Sequence, residues 1–378
     1  MKAKYEIIAE TLRTEIVGGK FVGMRCMPSE GSLARRFAAS RGTVRHALSN
    51  LCQSGIIESR KGSGYHFRTT TVRTGRIGLL MPEITLTPFF QRLAHEVSVA
   101  AEKSGCSVFL GQEAGGTTAK RAQIVKSVAR RFVKQDVDGV IFRPLVDDCM
   151  QKANMAVIDI LRKAKVPVVL IDCDVCHFPK KSGLDVVGIN HLSAGRSIAA
   201  HLLEIGCRHI VFLQGGPASV NRRNRLAGVA GEIVSAGVRW GDDSVVKLTG
   251  SDAAGVEKVM AMLDGGAAPD ALICGYDAFA AMLMKRLLAS GRRVPQDIAV
   301  VGFDDDPCAA LATPPLTTIH QPARRIAAEA VKTLAWRIDH PGEPPCSILV
   351  PASLVVRGST VAQTHDFTFK KETNKCRN

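Results

Sequence analysis

Basic side chains recur on one face of a short predicted helix near the start of the chain. Residues 41–46 read Arg-Gly-Thr-Val-Arg-His, and Arg41, Thr43, Arg45 and His46 fall opposite the apolar positions of the same segment. Guanidinium and hydroxyl groups at the start of an exposed helix can donate hydrogen bonds to phosphates and to base edges. These four side chains are therefore candidate DNA contacts.

The flanking residues predict the elements that would hold this helix. Ser29 and Ser40 can each cap a helix, and Val44, Ala47, Leu48 and Leu51 recur at helical spacing. A further amphipathic helix is predicted from Tyr5, Ile8, Leu12 and Ile16, ended by Gly18 and Gly19. Two short strand patterns, 56–60 and 65–67, flank a glycine-rich basic tip that includes Lys61 and Gly62. This order of elements is typical of a winged helix-turn-helix, which places one helix in the major groove.

Charge supports this prediction. Residues 1–73 hold 13 Lys and Arg against 5 acidic residues, whereas the formal net charge of the whole chain is +15. A generic helical domain with a solvated basic face is the alternative. The predicted wing is also basic, and a concentrated basic module is what phosphate binding needs, so DNA binding is the better interpretation.

The segment from Tyr5 to Phe67 resembles the DNA-binding domain of the GntR family of bacterial transcription regulators. The matching motifs are Pro-Ser-Glu (28–30), Ser-Arg-Gly-Thr-Val-Arg (40–45) and Arg-Lys-Gly-Ser-Gly (60–64). The resemblance implies that Arg41, Thr43 and Arg45 contact DNA, as does the wing around Lys61 and Gly62. Gly31 departs from the family pattern, which often has Arg at this point, so an altered operator contact is expected there.

Short apolar runs alternate with amphipathic segments of helical length over most of the remaining chain. The runs lie at 77–81, 107–110, 139–142, 166–171, 209–213, 272–274 and 298–303. This alternation predicts an α/β fold with parallel sheets covered on both faces. The expected domains are a DNA-binding domain at 1–70, a linker at 71–75, a large domain at 76–360 and a polar tail at 361–378.

Two carboxylates follow strands of the predicted large domain. Asp172 ends Val-Pro-Val-Val-Leu-Ile-Asp, and Asp304 ends Ile-Ala-Val-Val-Gly-Phe-Asp. Each could be a simple helix or turn cap. Parallel sheets, however, bind ligands at the carboxyl ends of their strands, so together the two predict a polar ligand site.

Residues 77–360 resemble the effector domain of the lac/gal repressor family, which has the fold of periplasmic sugar-binding proteins. Matching motifs include Thr-Pro-Phe-Phe (87–90), Val-Asp-Gly-Val-Ile-Phe (137–142), Gly-Ile-Asn-His-Leu-Ser-Ala-Gly-Arg (188–196) and Val-Pro-Gln-Asp-Ile-Ala-Val-Val-Gly-Phe-Asp-Asp (294–305). The resemblance implies two lobes with crossovers near 185, 310 and 335 and an effector in the cleft between them. The implied effector contacts are Thr87, Phe89, Phe90, Asp172, Arg223, Arg225, Tyr276, Asp304 and Gln321.

Two departures touch this pocket. Sugar-binding relatives usually have Asn where this chain has Tyr276, and some have Arg where it has Cys173. The effector class therefore stays a small polar molecule, a carbohydrate by resemblance, without an identity.

The sequence Cys173-Asp-Val-Cys176-His177 matches the attachment motif of c-type haem. A redox thiol pair or a partial zinc site is the better alternative, and the eleven cysteines also allow a coincidence. A thiol- or metal-responsive regulator that senses through Cys173, Cys176 and His177 is therefore the alternative function. No cofactor or metal is predicted otherwise.

Enzyme classes find little support. The first strand of the large domain runs into Pro82-Glu83-Ile84 with no dinucleotide-binding motif, and no phosphate-loop motif occurs. The charged N-terminus does not resemble a signal peptide, and no apolar run approaches membrane-spanning length. The sequence thus predicts a cytoplasmic, homodimeric repressor that binds pseudo-palindromic operator DNA and responds to a small effector, likened above to a sugar.

Overall fold

The computed structural model describes residues 3–17, 21, 26–53, 56–60, 64–67, 75–82, 84, 87–111, 117–146, 148–176, 180–215 and 219–361. The N-terminal part, called the head, contains α1 (Lys4–Val17), α2 (Glu30–Arg36), α3 (Arg41–Gln53), β1 (Ile57–Arg60) and β2 (Gly64–Phe67). The two strands pair antiparallel, with Ile57 opposite Phe67. This is the predicted winged helix-turn-helix.

Both predicted serine caps are present in the head. The Ser29 hydroxyl accepts a hydrogen bond from the backbone N–H of Ser32 at 3.2 Å, and the Ser40 hydroxyl accepts one from Thr43 at 3.1 Å. Each cap satisfies a backbone donor that a helix start leaves unpaired. The predicted apolar stripe of α3 is fully buried against α1, so the polar stripe of the same helix faces outward.

Lobe 1 is built on a six-stranded sheet with the order β13-β7-β6-β5-β3-β4, whose pairs are all parallel. Its strands are β3 (Arg76–Leu80), β4 (Ser107–Gly111), β5 (Gly139–Phe142), β6 (Val168–Ile171), β7 (Asp185–Ile189) and β13 (Ser347–Val350). Its helices are α4 (Pro88–Lys103), α5 (Thr118–Lys134), α6 (Gln151–Lys163) and α12 (Ala323–Asp339), with a 3-10 turn at Asp148–Met150. Helices α4 and α12 pack together on one face, and α5 and α6 pack together on the other.

Lobe 2 is built on a four-stranded sheet with the order β11-β10-β8-β9, also parallel. Its strands are β8 (Ile210–Gln214), β9 (Val245–Lys247), β10 (Ala271–Ile273) and β11 (Ala299–Val301). The antiparallel pair β12 (Thr318–His320) and β14 (Ser353–Val355) adjoins β11 through bridges at Val301–Thr317 and Asp304–His320. The helices are α7 (His191–Glu204), α8 (Val220–Ser235), α9 (Asp252–Asp264), α10 (Asp277–Ala289) and α11 (Pro307–Leu311), with a 3-10 turn at Asp242–Ser244.

Within the described residues, the chain passes between the lobes at three places. It leaves lobe 1 after β7, returns between β12 and α12, and crosses again between β13 and β14. The first place lies close to the expected crossover near 185. The crossovers expected near 310 and 335 are wrong. Residue 310 lies in α11, which packs against α10 of lobe 2, and residue 335 lies inside the unbroken helix α12 on lobe 1.

Helices α7 and α8 of lobe 2 approach each other unusually closely. Two glycines make the approach possible: a Cβ atom at Gly228 would overlap the carbonyl oxygen of Leu192, and a Cβ atom at Gly195 would overlap that of Arg225. Any larger side chain would force the two helices apart. The contact therefore fixes the residues that α7 and α8 present to the rest of the molecule.

Among the described residues, none of the helices is both long and apolar enough to span a bilayer.

Candidate DNA-binding face and effector cleft

The exposed face of α3 carries the predicted DNA contacts. Arg41, Arg45 and His46 are exposed, and Thr43 is half-buried beside the Ser40 hydroxyl, 2.8 Å away. Because α3 follows α2 after a short turn and packs on α1, this face is the outward surface of a recognition helix. Lys61 and Gly62 lie outside the described residues; Gly64, directly after them, has a φ of +79°, which suits a tight hairpin.

Arg45 forms an ion pair with Glu30 at the start of α2. Its Nε and Nη2 donate to the two carboxylate oxygens at 3.0 and 2.8 Å. The hydrogen bond from Arg45, opposed by slight burial, holds the pKa of Glu30 below its usual value, so the carboxylate stays charged. A DNA phosphate or base would compete with Glu30 for the same guanidinium.

Two further contacts refine the predicted face. The ring of His46 stacks on Tyr5 of α1 with centroids 3.9 Å apart, so this side chain also joins α3 to α1. A Cβ atom at Gly31 would lie 3.4 Å from Nη2 of Arg41. The guanidinium of Arg41 thus occupies the space beside the position where the sequence departs from the GntR pattern.

A cavity of about 360 Å³ lies between the lobes, at the carboxyl ends of the strands. Its lining combines residues from both lobes: Thr87, Phe90, Arg121, Arg143, Val146, Asp172, Ser219, Asn221, Arg222, Arg225, Gly275, Tyr276, Asp304 and Gln321. Seven of these were predicted from the sequence. The volume lies at the lower end of the range for small-molecule sites, which fits a ligand about the size of a monosaccharide.

Two predicted effector residues do not belong to the described lining. Phe89 is only 2% exposed and packs edge-on against Phe90 within the core of lobe 1. Arg223 is replaced in the lining by Arg222. The reason is helical geometry: Arg222 and Arg225 are three residues apart and share a face of α8, whereas Arg223 is rotated away from it.

Asp172 follows β6 in a left-handed backbone conformation, with a φ of +77°. Its carboxylate lies 3.4 Å from Nε of Arg143 and 3.6 Å from Nε2 of His191. Burial acts to raise the pKa of Asp172, but His191 and the positive charges of Arg143 and Arg225 outweigh it and lower the pKa. Asp172 is therefore ionised and already surrounded by cationic or hydrogen-bonding partners.

Arg225 and His191 support each other across the contact between α7 and α8. Nε of Arg225 donates to Nδ1 of His191 at 3.1 Å, and Nη1 donates to the carbonyl oxygen of Gly275 at 3.0 Å. The guanidinium also lies over the ring of Phe303, 3.3 Å from its centroid. Burial and the charge of Arg225 lower the pKa of His191 to about 4. The ring is thus neutral at pH 7, and since Nδ1 accepts from Arg225, its proton resides on Nε2, facing Asp172.

Asp304 also has a left-handed backbone, with a φ of +107°. One carboxylate oxygen accepts a hydrogen bond from Nε2 of Gln321 at 2.7 Å, and its carbonyl oxygen accepts one from Arg92 at 3.1 Å. Burial raises the pKa of Asp304 to about 7, with the nearby Arg225 opposing and Asp306 adding to the rise. At neutral pH this carboxyl is about half protonated, so it can donate as well as accept.

Tyr276 occupies the N-cap position of α10 and lines the cavity, and its hydroxyl donates to the carboxylate of Asp252. Burial and the hydrogen bond to Asp252 raise the pKa of Tyr276. The phenol therefore remains neutral, and its ring is the surface offered to the cleft.

Sequence reasoning missed five polar lining residues: Arg121, Arg143, Ser219, Asn221 and Arg222. Arg143 had a usable signal, because it directly follows β5, as Asp172 follows β6. Its guanidinium stacks on Phe90 at 3.9 Å and stands beside Asp172, so it supplies the arginine that some relatives carry at the position of Cys173. Arg222 could have been found from its spacing to Arg225. No sequence signal pointed to Arg121.

The Cys/His motif is not supported as a sensor. Cys173 is buried, and burial with the charge of Asp172 strongly raises the pKa of its thiol. Burial likewise raises the pKa of Cys176. His177 lies outside the described residues, and among those described no group of three metal-ligating side chains comes together. A protonated, buried thiol is a poor nucleophile and a poor ligand.

Comparisons with known proteins agree with both parts of the chain. Residues 4–67 match the family model for bacterial regulatory proteins of the gntR family, and residues 199–360 match the periplasmic binding protein-like domain. The chain is 28% identical to the transcriptional regulator DegA of Bacillus subtilis over 291 residues, which cover 77% of this chain and 82% of DegA. It is also 28% identical to the transcriptional repressor PurR of Aliivibrio fischeri, over 81% of this chain and 90% of PurR.

Solved structures show the same likeness. The lac repressor dimer bound to operator and the anti-inducer ONPF has a TM-score of 0.64 and 26% identity, covering 77% of this chain and 95% of the repressor chain. The cellobiose complex of the transcriptional regulator CelR has a TM-score of 0.66 at 24% identity, covering 88% and 100% of the two chains, and shows the likeness of fold. These relatives are transcription regulators and not enzymes. The chain therefore belongs with the DNA-binding transcription regulators, and it joins a gntR-family winged helix-turn-helix to an effector domain of the lac/gal repressor type.

Proposed function

We propose that this protein is a homodimeric repressor whose affinity for a pseudo-palindromic operator changes when a small polar effector, of the carbohydrate class, binds in the cleft. The observation that carries the proposal is the cavity between the lobes, where Asp172, Arg225 and Asp304 converge. Carboxyl and guanidinium groups at such a site match the paired donors and acceptors of vicinal hydroxyls. The relatives named above support the regulatory role.

The cleft offers a direct way to couple a ligand to a change of shape. Arg143 and Asp172 belong to lobe 1, whereas Arg225, Tyr276 and Asp304 belong to lobe 2. A ligand held by both sets favours the arrangement in which the lobes are closed. Because it binds that arrangement better, it shifts the population toward it. In a dimer, a change of lobe arrangement alters the spacing of the two heads, and only one spacing fits adjacent major grooves.

Several features of the proposal concern assembly. One recognition helix reads too few base pairs for a specific site, so two heads related by two-fold symmetry are required. We place the head at residues 1–70, the linker at 71–75, the effector domain at 76–360 and the tail at 361–378. Action on bacterial DNA places the protein in the cytoplasm.

The test combines an operator, selected from random DNA by the full chain, with an effector, found by screening sugars and sugar derivatives for thermal stabilisation. Ligand at 100 times its Kd should add about 2.7 kcal/mol to the free energy of unfolding. Arg45→Ala should weaken operator binding by about 1–3 kcal/mol. Asp172→Ala should abolish the effector response and leave operator affinity without effector nearly unchanged.

The exposed Asp159 provides a control, since Asp159→Ala removes the same charge from lobe 1 outside the cleft. It should leave both operator affinity and the effector response as in the wild type. An Asp172→Ala variant that still responds fully would show that the effector binds elsewhere. An Arg45→Ala variant with wild-type operator affinity would contradict the assignment of the DNA face.

A further inference from the structure

We propose that the effector is a small polyhydroxylated anion, a sugar derivative bearing a carboxylate or a phosphate, and that Arg121 and Arg222 select for its charge. This inference deepens the proposed function and rests on it. It concerns the chemical class of the ligand, because the cleft of this chain has a charge pattern that a neutral sugar does not require.

The lining of the cavity carries an excess of positive charge. Four arginines line it, Arg121, Arg143, Arg222 and Arg225, against the two carboxyl groups of Asp172 and Asp304. Burial of Asp304 raises its pKa to about 7, which further reduces the negative charge of the lining at neutral pH. In a partly enclosed site, where screening by water and salt is weak, such an excess attracts an anion and disfavours a cation.

The two carboxylates are already engaged by protein groups. Asp172 faces Arg143 and His191, and Asp304 accepts from Gln321. Within this arrangement Arg143 balances Asp172, and Arg225 lies nearest to Asp304 and His191. The surplus among the lining residues therefore falls on Arg121 and Arg222, which are both only partly buried.

These two arginines come from opposite sides of the cleft. Arg121 lies in the first turn of α5 in lobe 1, and Arg222 lies in the first turn of α8 in lobe 2. Closure of the lobes brings two like charges toward each other, which opposes closure. An anion between them reverses the sign of that contribution, so the negative group of the ligand would itself favour the closed arrangement.

Backbone groups and one hydroxyl point to the same chemistry. Helix α4 begins at Pro88 directly after Thr87, and α8 begins at Val220 directly after Ser219; Thr87 and Ser219 both line the cavity. The positive ends of two helix dipoles therefore lie at the cleft. The hydroxyl oxygen of Thr87 is buried and has no hydrogen-bond partner among the described residues. A carboxylate or phosphate oxygen at this place would accept the proton of that hydroxyl.

The experiment uses the full chain and matched sets of ligands that differ in charge alone. For the glucose, galactose and mannose configurations, the neutral aldose, the aldonate, the uronate and the 6-phosphate are compared by thermal shift and titration calorimetry. Members of the carboxylate arm or of the phosphate arm should bind at least about tenfold more tightly than the neutral aldose of the same set. The arm that binds identifies the charged group. Binding of a neutral aldose as tight as its charged partners, or of no charged member at all, would overturn the inference.

Matched variants show whether the two arginines are responsible. Arg121→Gln and Arg222→Gln should each weaken binding of the charged ligand about tenfold or more and leave the neutral aldose unaffected. Arg130→Gln is the control, because Arg130 is an exposed residue of the same helix as Arg121 and does not line the cavity. Arg121→Lys should recover part of the affinity. Unchanged affinity in both Gln variants with wild-type melting temperature would contradict the assignment.

The inference and the proposed function can fail separately. A neutral sugar that binds and alters operator affinity would overturn the inference and retain the proposed function. A charged ligand that binds through Arg121 and Arg222 but leaves operator affinity unchanged would support the inference and overturn the proposed function.

Discussion

The close contact between α7 and α8 predicts that Gly228 tolerates no side chain. In Gly228→Ala the new Cβ atom would lie 3.0 Å from the backbone nitrogen of Arg196 and would overlap the carbonyl oxygen of Leu192. A relaxed carbon–oxygen contact is roughly 3.3–3.6 Å, so the helices must separate. Overpacking of this kind costs about 1–3 kcal/mol.

Gly231 is a matched control on the same helix. A Cβ atom there has nothing within 4 Å, and the residue is exposed. Gly231→Ala should therefore stabilise the protein by about 0.5–1 kcal/mol, because alanine loses less backbone entropy than glycine in a helix. Gly228→Ala receives the same gain, so it cancels in the comparison. The difference between the two variants then isolates the overpacking cost of about 1–3 kcal/mol.

Urea unfolding of the full chain without ligand measures this difference, and thermal melting gives a second readout. A difference of 1 kcal/mol corresponds to about 2–4 °C in a domain of this size class. Gly228→Ala should also weaken effector binding, because separation of the helices breaks the 3.1 Å hydrogen bond between Arg225 and His191. Equal stability of the two variants would refute the reasoning, since it would mean that the helices separate without cost.

Three further predictions concern the head, the pH dependence and the dimer. Glu30→Gln should raise operator affinity severalfold in binding assays, because it releases Arg45 and removes a negative charge from the DNA face; weaker binding would show that Glu30 positions Arg45. Burial raises the pKa of Asp277 to about 8 and that of Asp304 to about 7, so the folded chain holds protons that the unfolded chain releases. The free energy of unfolding should therefore fall as pH rises from about 6.5 to 8, by at most roughly 1.4 kcal/mol per unit for each proton. This window lies above the opposite contribution of His191, whose pKa is lowered by burial to about 4. Urea unfolding across this range checks the fall, which should be shallower in Asp304→Asn; a flat profile would contradict the buried protonated carboxyls. A fragment of residues 71–378 should be dimeric by light scattering at micromolar concentration, and a monomer would move the dimer contact to the head or to DNA.

Much of the fold was predictable, because local signals agree with the final packing. Ser29 and Ser40 cap the helices they were expected to cap, and the apolar runs became the central strands of both lobes. Edge strands such as β9 and β14 were not predicted. They are three residues long and carry no apolar run of their own, since one side of each borders fewer neighbours.

The candidate site was only partly predictable, for a geometric reason. Asp172 and Asp304 stand at strand ends, where the order of residues along the chain also gives the position in space. Arg121 and Arg222 reach the cavity from the first turns of helices, and their direction depends on how each helix is rotated on its sheet. Phe89 and Phe90 are adjacent in sequence, yet packing sends one into the core and the other into the cleft.

The direction of β3 has a consequence for how such regulators can arise by recombination. The head precedes β3, so it is joined to the amino end of this strand, whereas the cleft lies at the carboxyl ends of the same sheet. Five residues of β3, roughly 16 Å of extended chain, separate that junction from the ligand. A gene fusion that exchanged everything before Arg76 would therefore replace the DNA-reading part and leave every described residue of the pocket intact. One ancestral sensor could in this way have been connected to heads of different families.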